Sequence, residues 1–265
     1  MNSKTIKDVC PELEYEKGLG IYLDVERGNI WSHPDEAHST HLKQVVKFQD
    51  CFNFVVIGGS TGVTKENASE LSTLLQQCGY DKRRIGLLPP TDNVLSDNYG
   101  FVVVPSLLNS RYPYYRYEFT RIVKPQIDEL AKAGVVPIYM AYLLVEPADQ
   151  LSVGKVTNPD IIRSDDYEKV AAYCREAASL GFRTISLEAG SGAKDHVAIE
   201  IVRTARANFA GDITVGGGIR TADQISSILT AGADLVTLGD VLEKSENLEQ
   251  LLLEFKKAIT RANKR

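Results

Sequence analysis

"ISLEAGSGAKDH" at residues 185–196 and "ITVGGGIRTAD" at residues 213–223 each run from β-branched, apolar residues into glycines and then towards a helix start. A strand that feeds a small-residue turn and a helix, twice in succession, marks βα units, whose strands pair in parallel. Outward from this pair the same kind of apolar run recurs, at 19–23, 54–58, 85–88, 101–104, 135–140, 183–187, 213–217 and 235–239. Helix-like segments at 34–49, 64–78, 116–133, 165–180, 194–208, 221–231 and 246–262 separate most of them, and Thr64, Asp165, Asp166 and Thr221 supply N-cap signals. Only the interval between the third and fourth runs lacks a helix. Eight such units in about 250 residues match a closed (β/α)₈ TIM barrel. The expectation is one domain over 1–265, with an irregular or missing third helix and an N-terminal helical extension at about 4–16. A doubly wound open sheet would carry its phosphate fingerprint after the first strand, where this chain reads "YLDVERGN".

Composition limits the function classes. The 265 residues carry 30 basic and 35 acidic side chains, a net charge of -5, so the global basic excess of a nucleic-acid binder is missing. Cys10, Cys51, Cys78 and Cys174 are widely spaced and, with four histidines in the chain, form no zinc pattern. They read as reduced, buried thiols of a cytoplasmic protein. The N-terminus "MNSKTIKDVCPELEYEKG" has no apolar signal core, and the longest apolar run, 135–145, is too short to span a bilayer. Transient contact with a membrane surface stays compatible with such a chain.

The active site of a barrel forms where the strands end. After the first run stands Asp24; after the second, Gly58, Gly59 and Ser60; after the sixth, Glu188 and Gly190 to Ala193; after the seventh, Gly217 and Gly218; after the eighth, Gly239 and Asp240. Glycine permits both the backbone angles and the close approach by which several N–H groups converge on a phosphate. Helices expected to begin near Lys194 and Thr221 would add their N-terminal dipoles. Turn-making alone is the alternative for these glycines. Asp24 suits a hard cation shared with diphosphate oxygens, or else a solvated turn. Glu188 suits deprotonation or orientation of a substrate hydroxyl, or else a structural ion pair. The tyrosines of "RYPYYRY" (112, 114, 115 and 117) line an apolar groove or simply pack.

"VVIGGSTGVT" (55–64), "VPSLLNSRYPYY" (104–115), "LEAGSGA" (187–193) and "VGGGIRTAD" (215–223), in this order, resemble the geranylgeranylglyceryl phosphate synthases of archaea and their bacterial heptaprenylglyceryl phosphate relatives. The resemblance covers about 19–242 and implies a barrel lacking a regular third helix. It further implies a Mg2+-dependent prenyltransferase that joins an allylic polyprenyl diphosphate to the hydroxyl of sn-glycerol 1-phosphate as an ether, with a homodimer or larger assembly expected. By the same resemblance Asp24 and Ser60 hold Mg2+. Ser186, Leu187, Glu188, Ala189, Gly190, Ser191, Gly192, Gly217, Gly218, Gly239 and Asp240 bind the phosphorylated three-carbon acceptor, with Glu188 and Asp24 catalytic.

The chain departs from the family pattern at Ser186, where tyrosine is usual, at Tyr112, where asparagine is usual, and at Val25 and Asp240. Asp240 adds a carboxylate beside the phosphate, which is unfavourable unless it points away or is protonated. Ser186 opens space, and Arg111 and Arg116 are expected near the mouth, where a guanidinium would suit an acceptor bearing a carboxylate. The same chemistry on 3-phosphoglycerate is therefore the second reading. A phosphosugar isomerase or a phosphate-binding protein on the same barrel is the third.

Overall fold

The computed structural model describes residues 4–9, 17–25, 36–59 and 62–264. Eight parallel strands close into a barrel in sequence order: β1 (Gly18–Asp24), β2 (Phe54–Gly58), β3 (Ile85–Leu87), β4 (Phe101–Leu107), β5 (Val136–Leu144), β6 (Thr184–Glu188), β7 (Asp212–Gly216) and β8 (Leu235–Leu238). The ring shuts where Gly18 pairs with Leu235 and Ile21 with Leu238. Around it lie α1 (Glu36–Lys47), α2 (Lys65–Gln77), α3 (Phe119–Lys132), α4 (Ser152–Thr157), α5 (Tyr167–Ser179), α6 (Ile199–Asn208), α7 (Ala222–Thr230), α8 (Asp240–Glu243) and α9 (Leu248–Ala262).

Alternation along each strand divides the residues between two cores. Leu19, Ile21, Leu23, Val55, Ile57, Ile185, Leu187 and Val215 face outward into the helix layer. Phe54, Val56, Phe101, Val103, Ile138 and Met140 fill the barrel itself. Two glycines make that filling possible. A Cβ on Gly20 would strike the Phe54 ring and one on Gly86 the Phe101 ring, and the two rings meet edge to face at 5.8 Å. The barrel is therefore plugged below, and its upper half alone remains open.

Between β3 and β4 the third helix is replaced by a short 3₁₀ turn, Asp92–Val94. Pro89 and Pro90 deny the chain the backbone N–H groups a helix needs, and Val94 and Tyr99 seal the gap from beneath. Thr64 and Thr221 form capping boxes at α2 and α7, as their sequence signals predict, whereas Asp166 precedes α5 without a side-chain cap. A π-helical turn, Tyr114–Glu118, leads into α3. Of the expected N-terminal extension, a 3₁₀ turn forms at Ile6–Asp8, and 10–16 lie outside the described residues. The thiols of Cys51 and Cys174 are buried, but Cys78 is exposed because it caps the solvent end of α2, against the sequence expectation; Cys10 lies outside the described residues. No helix among the described residues is long and apolar enough to cross a membrane.

Candidate functional site

A cleft of about 300 Å³ opens at the C-terminal ends of the strands. Its two sides differ in chemistry. From β6, β7 and β8 come Ser186, Glu188, Gly190, Ser191, Thr214, Gly217, Gly218, Thr237, Gly239 and Asp240. The opposite wall carries Val103, Leu107 and Met140 of β4 and β5, Leu88 and Pro89 after β3, Tyr115 and Phe119 before and in α3, and Val153 and Val156 of α4. Asp24, at the end of β1 and 8% exposed, borders the cleft where the two walls meet.

Glu188 is the best-defined polar group. The Gly190 N–H donates to its Oε1 at 2.8 Å and the Tyr142 hydroxyl donates to its Oε2 at 3.3 Å. The carboxyl keeps one face towards the cleft and has protein on its other sides. Burial pushes it up to about 7, the Asp240 charge adds to this, and the two hydrogen bonds offset part of it. Gly216 and Gly217 make the room. A Cβ on Gly216 would strike Glu188 Oε2, and one on Gly217 would lie 2.6 Å from Gly190 N and 2.7 Å from Glu188 Oε1. Gly217 also has φ +81, a left-handed conformation that suits glycine.

The three turns expected to make a cradle all border the cleft, though not in every detail as expected. The N–H groups of Ser191, Gly217, Gly218 and Gly239 find no hydrogen-bond acceptor among the described residues, and that of Asp240, first in α8, has none within its helix. These are donors an anion would use. Leu187 and Ala189 do not border the cleft; they alternate outward and are fully buried beneath the helices. Gly192 is exposed, with nothing within 4 Å of a Cβ, so its φ of +78 makes the turn rather than a contact. Helix α6 starts at Ile199, five residues beyond the expected start at Lys194, so its N-terminus does not reach the cradle. The N-terminus of α7 is occupied by its own capping box. The helix start that does border the cleft is that of α8. A Cβ on Gly218 would meet the backbone of Asp195 and His196, so a larger residue there acts by displacing a loop and not by filling the anion's space.

Arg220 ties the turns together. Its Nη1 donates to Lys194 O (2.6 Å) and Gly218 O (3.0 Å), its Nη2 donates to Ala193 O, and the guanidinium lies 3.9 Å from Asp240. Asp240 also lies 3.3 Å from the Lys244 ammonium. The extra carboxylate is thus flanked by two cations, which offset part of the electrostatic objection its sequence position raises, although its charge still acts on Glu188.

Ser60 lies outside the described residues. Among the described residues no group of three His, Cys, Asp or Glu side chains is disposed to enclose a metal. Mg2+ commonly takes one or two carboxylates and completes its shell with water and substrate phosphate oxygens, and a buried strand-end aspartate beside an anion cradle fits that mode. Arg111 and Arg116 do not reach the cleft. They line a separate surface cavity with Tyr117, Asp160 and Tyr173, and pair with Asp160 at 3.4 Å and Glu176 at 2.8 Å. The main-chain bond from Arg111 N to Asn158 O ties this loop to the C-terminal end of α4. Of the four tyrosines, Tyr115 borders the cleft, Tyr114 is half-buried, and Tyr112 and Tyr117 are exposed.

Tyr22, Tyr142, Thr214 and Thr237 also line the cleft and were not singled out from the sequence. Strand alternation is the available signal for Tyr22 and Thr237, which stand two residues before Asp24 and Gly239; Thr214 stands two before Gly216, which the sequence reading does not include among the site residues, and Tyr142 lies beyond the expected end of its strand. The fifth run was read as ending at 140, whereas β5 continues to Leu144 and brings Tyr142 inside.

Residues 31–259 match the model of the PcrB family. The chain belongs to the PcrB family. It is 30% identical over 219 residues to the geranylgeranylglyceryl phosphate synthase of Pyrococcus abyssi, covering 82% of this chain and 84% of that one. Among solved structures it resembles the wild-type enzyme of that kind from Thermoplasma volcanium (26% identity, TM-score 0.81, 97% of this chain and 98% of the other). The (S)-3-O-geranylgeranylglyceryl phosphate synthase of Thermoplasma acidophilum, solved in complex with sn-glycerol-1-phosphate, shares the fold at 24% identity and TM-score 0.81, with 97% and 99% covered.

Proposed function

We propose that this PcrB-family chain is a prenyltransferase that forms an ether between an allylic polyprenyl diphosphate and the hydroxyl of sn-glycerol 1-phosphate, releasing diphosphate. The observation that carries this reading is the meeting of three things in one cleft: a cradle of backbone N–H groups, the Glu188 carboxyl beside it, and an apolar wall facing both. Its relatives bear the name of that activity, and one of them binds the acceptor named here.

The residues suggest how the work is divided. The amides of Ser191, Gly217, Gly218, Gly239 and Asp240 receive the acceptor's phosphate and fix its three-carbon body in the polar half. Glu188, next to the cradle and poised near neutrality, takes the proton of the attacking hydroxyl. The oxygen forms the new bond to the allylic carbon as the old carbon–oxygen bond breaks, and its electron pair leaves with the diphosphate. The wall of Leu88, Val103, Leu107, Phe119, Val153 and Val156 takes the prenyl tail and keeps water from the cationic carbon. Asp24, with Ser60 by the family resemblance, would hold Mg2+, which when bound neutralises charge on the leaving diphosphate.

Incubation of the purified protein with Mg2+, a panel of prenyl diphosphates and either sn-glycerol 1-phosphate or 3-phosphoglycerate, followed by mass spectrometry, tests this directly. The expected product is the glycerol phosphate ether; at least tenfold higher kcat/KM with 3-phosphoglycerate, about 1.4 kcal/mol, would replace the acceptor. The arginines that favoured 3-phosphoglycerate on sequence grounds stand outside the cleft, which supports glycerol phosphate. Asp24→Asn should abolish turnover and weaken Mn2+ binding followed by electron paramagnetic resonance, while its circular dichroism stays unchanged.

A further inference from the structure

Strand β5 places Tyr142 opposite Ser186 on β6, and Leu144 opposite Glu188. The serine is 6% exposed and small, so the tyrosine ring has space to lean across β6 and reach the carboxyl two residues further along. On the other side, β7 offers Gly216 opposite Glu188, where any Cβ would occupy the position of Oε2. The carboxylate therefore lies against the glycine that ends β7, and its two oxygens are held by different donors. Oε1 accepts from a main-chain amide in the cradle, and Oε2 accepts from a side chain on another strand.

We propose that Tyr142 is a positioning residue for the transfer: its hydroxyl anchors Glu188 Oε2, so that the carboxylate presents its remaining lone pairs to the acceptor hydroxyl in the charged form. The inference rests on the role given to Glu188 above. The Gly190 amide alone fixes one oxygen and leaves the carboxyl free to swing about it; a second donor on the opposite oxygen removes that freedom. A phenol serves where a basic side chain would not. It stabilises the carboxylate without adding a charge to a cleft that must also accept a phosphate, and it does not ionise in competition, because burial and the neighbouring Glu188 hold Tyr142 well above the usual phenol range. The other titratable groups facing this pair are Asp240 from α8, backed by Arg220 and Lys244, and Tyr22 and Asp24 from β1.

Tyr142→Phe keeps the ring and removes only the hydroxyl. The expected result is a loss of kcat of about two- to threefold in alkaline buffer, where orientation alone is lost, that deepens to about tenfold below neutrality, with the acid limb of the kcat/KM profile moved up by about half to one pH unit. KM for sn-glycerol 1-phosphate should change less than twofold. In the Glu188→Gln background the second substitution should add nothing, because the phenol acts through the carboxylate. An unshifted acid limb together with a uniform loss at every pH would overturn the proposal and leave Tyr142 a packing residue. A readout independent of turnover is the carboxyl-carbon NMR titration of Glu188 in the unliganded protein, which should move to higher pH in Tyr142→Phe; no movement would overturn the proposal. Inactivity of the unmodified protein with every acceptor would instead count against the prenyltransferase reading, with the NMR titration still deciding the role of Tyr142.

Discussion

The two walls of the cleft are made in opposite ways. On the β6–β8 side glycine, serine and threonine predominate and leave main-chain amides open to the cleft beside the Glu188 and Asp240 carboxyls. On the β3–β5 side bulky apolar side chains form most of the surface. The first wall depends on the position of each atom, because a hydrogen bond weakens steeply with distance and angle. The second depends on area, because apolar burial is roughly proportional to surface removed from water and has no direction. A single atom in the wrong place should therefore damage the first wall, whereas the second should lose affinity in small instalments.

The largest effect is expected from Glu188→Gln. Loss of a general base should lower kcat by roughly 10²–10⁴-fold while KM for the prenyl diphosphate barely moves; a KM effect of similar size would mean that the walls are not separable. The same variant should alter stability in a pH-dependent way. Glu188 titrates at about 7 in the folded chain against an ordinary value of 4.5, so between those values the folded state keeps a proton that the unfolded state gives up. Stability accordingly falls as pH rises from about 4.5 through about 7, by about 1–3 kcal/mol once the open face towards solvent is discounted. Glu188→Gln should melt at a higher temperature than the parent at pH 8 and at nearly the same temperature at pH 5, as differential scanning calorimetry can check.

Gly217→Ala comes next. The added methyl collides with Gly190 N and Glu188 Oε1 and must also adopt a left-handed conformation, a cost of about 1–3 kcal/mol. Titration calorimetry with sn-glycerol 1-phosphate should show a loss of about tenfold or more in affinity, with binding of a prenyl diphosphate analogue unaffected. On the apolar side, Tyr115→Ala should raise KM for long prenyl diphosphates by about three- to tenfold through lost burial, and leave the acceptor KM alone. The smallest effect is expected from Arg220→Lys, which keeps the charge near Asp240 but loses the fork that joins Ala193, Lys194 and Gly218. A two- to threefold rise in acceptor KM would sharpen the view that the cradle is held from behind.

The sequence made the barrel legible because its strands are buried on both faces and its βα units repeat, so eight apolar runs could be counted without knowing any contact. It also pointed to Glu188, Gly217 and Gly218, which the structure brings together in one cleft, because their places at strand ends can be read from the pattern alone. What stayed hidden depends on which face of a strand points where. Leu187 and Ala189 lie inside the phosphate motif yet face the helices, because alternation overrules membership in a motif. Tyr142 was missed because a run of apolar residues does not show where a strand stops. Arg111 and Arg116 were misplaced because loop direction after β4 is set by bonds to a distant segment, such as Ser110 Oγ to Thr157 O at 2.7 Å, that local spacing cannot reveal.

At the closed end of the barrel, Lys17 N donates to Asn263 Oδ1 at 2.7 Å and Asn263 Nδ2 returns a bond to Lys17 O at 3.1 Å, while Lys17 Nζ reaches Ala233 O at 2.7 Å. Two positions 246 residues apart in the chain are thus direct neighbours. The molecule behaves as a loop whose cyclic order of βα units is fixed but whose starting point is arbitrary, so it is suited to circular permutation: a short linker could bridge the region of Lys17 to that of Asn263, and new ends could open near Asp92, where no helix has to be cut. Such a rearranged chain would keep β6, β7 and β8 consecutive, and with them every amide proposed to hold the acceptor's phosphate.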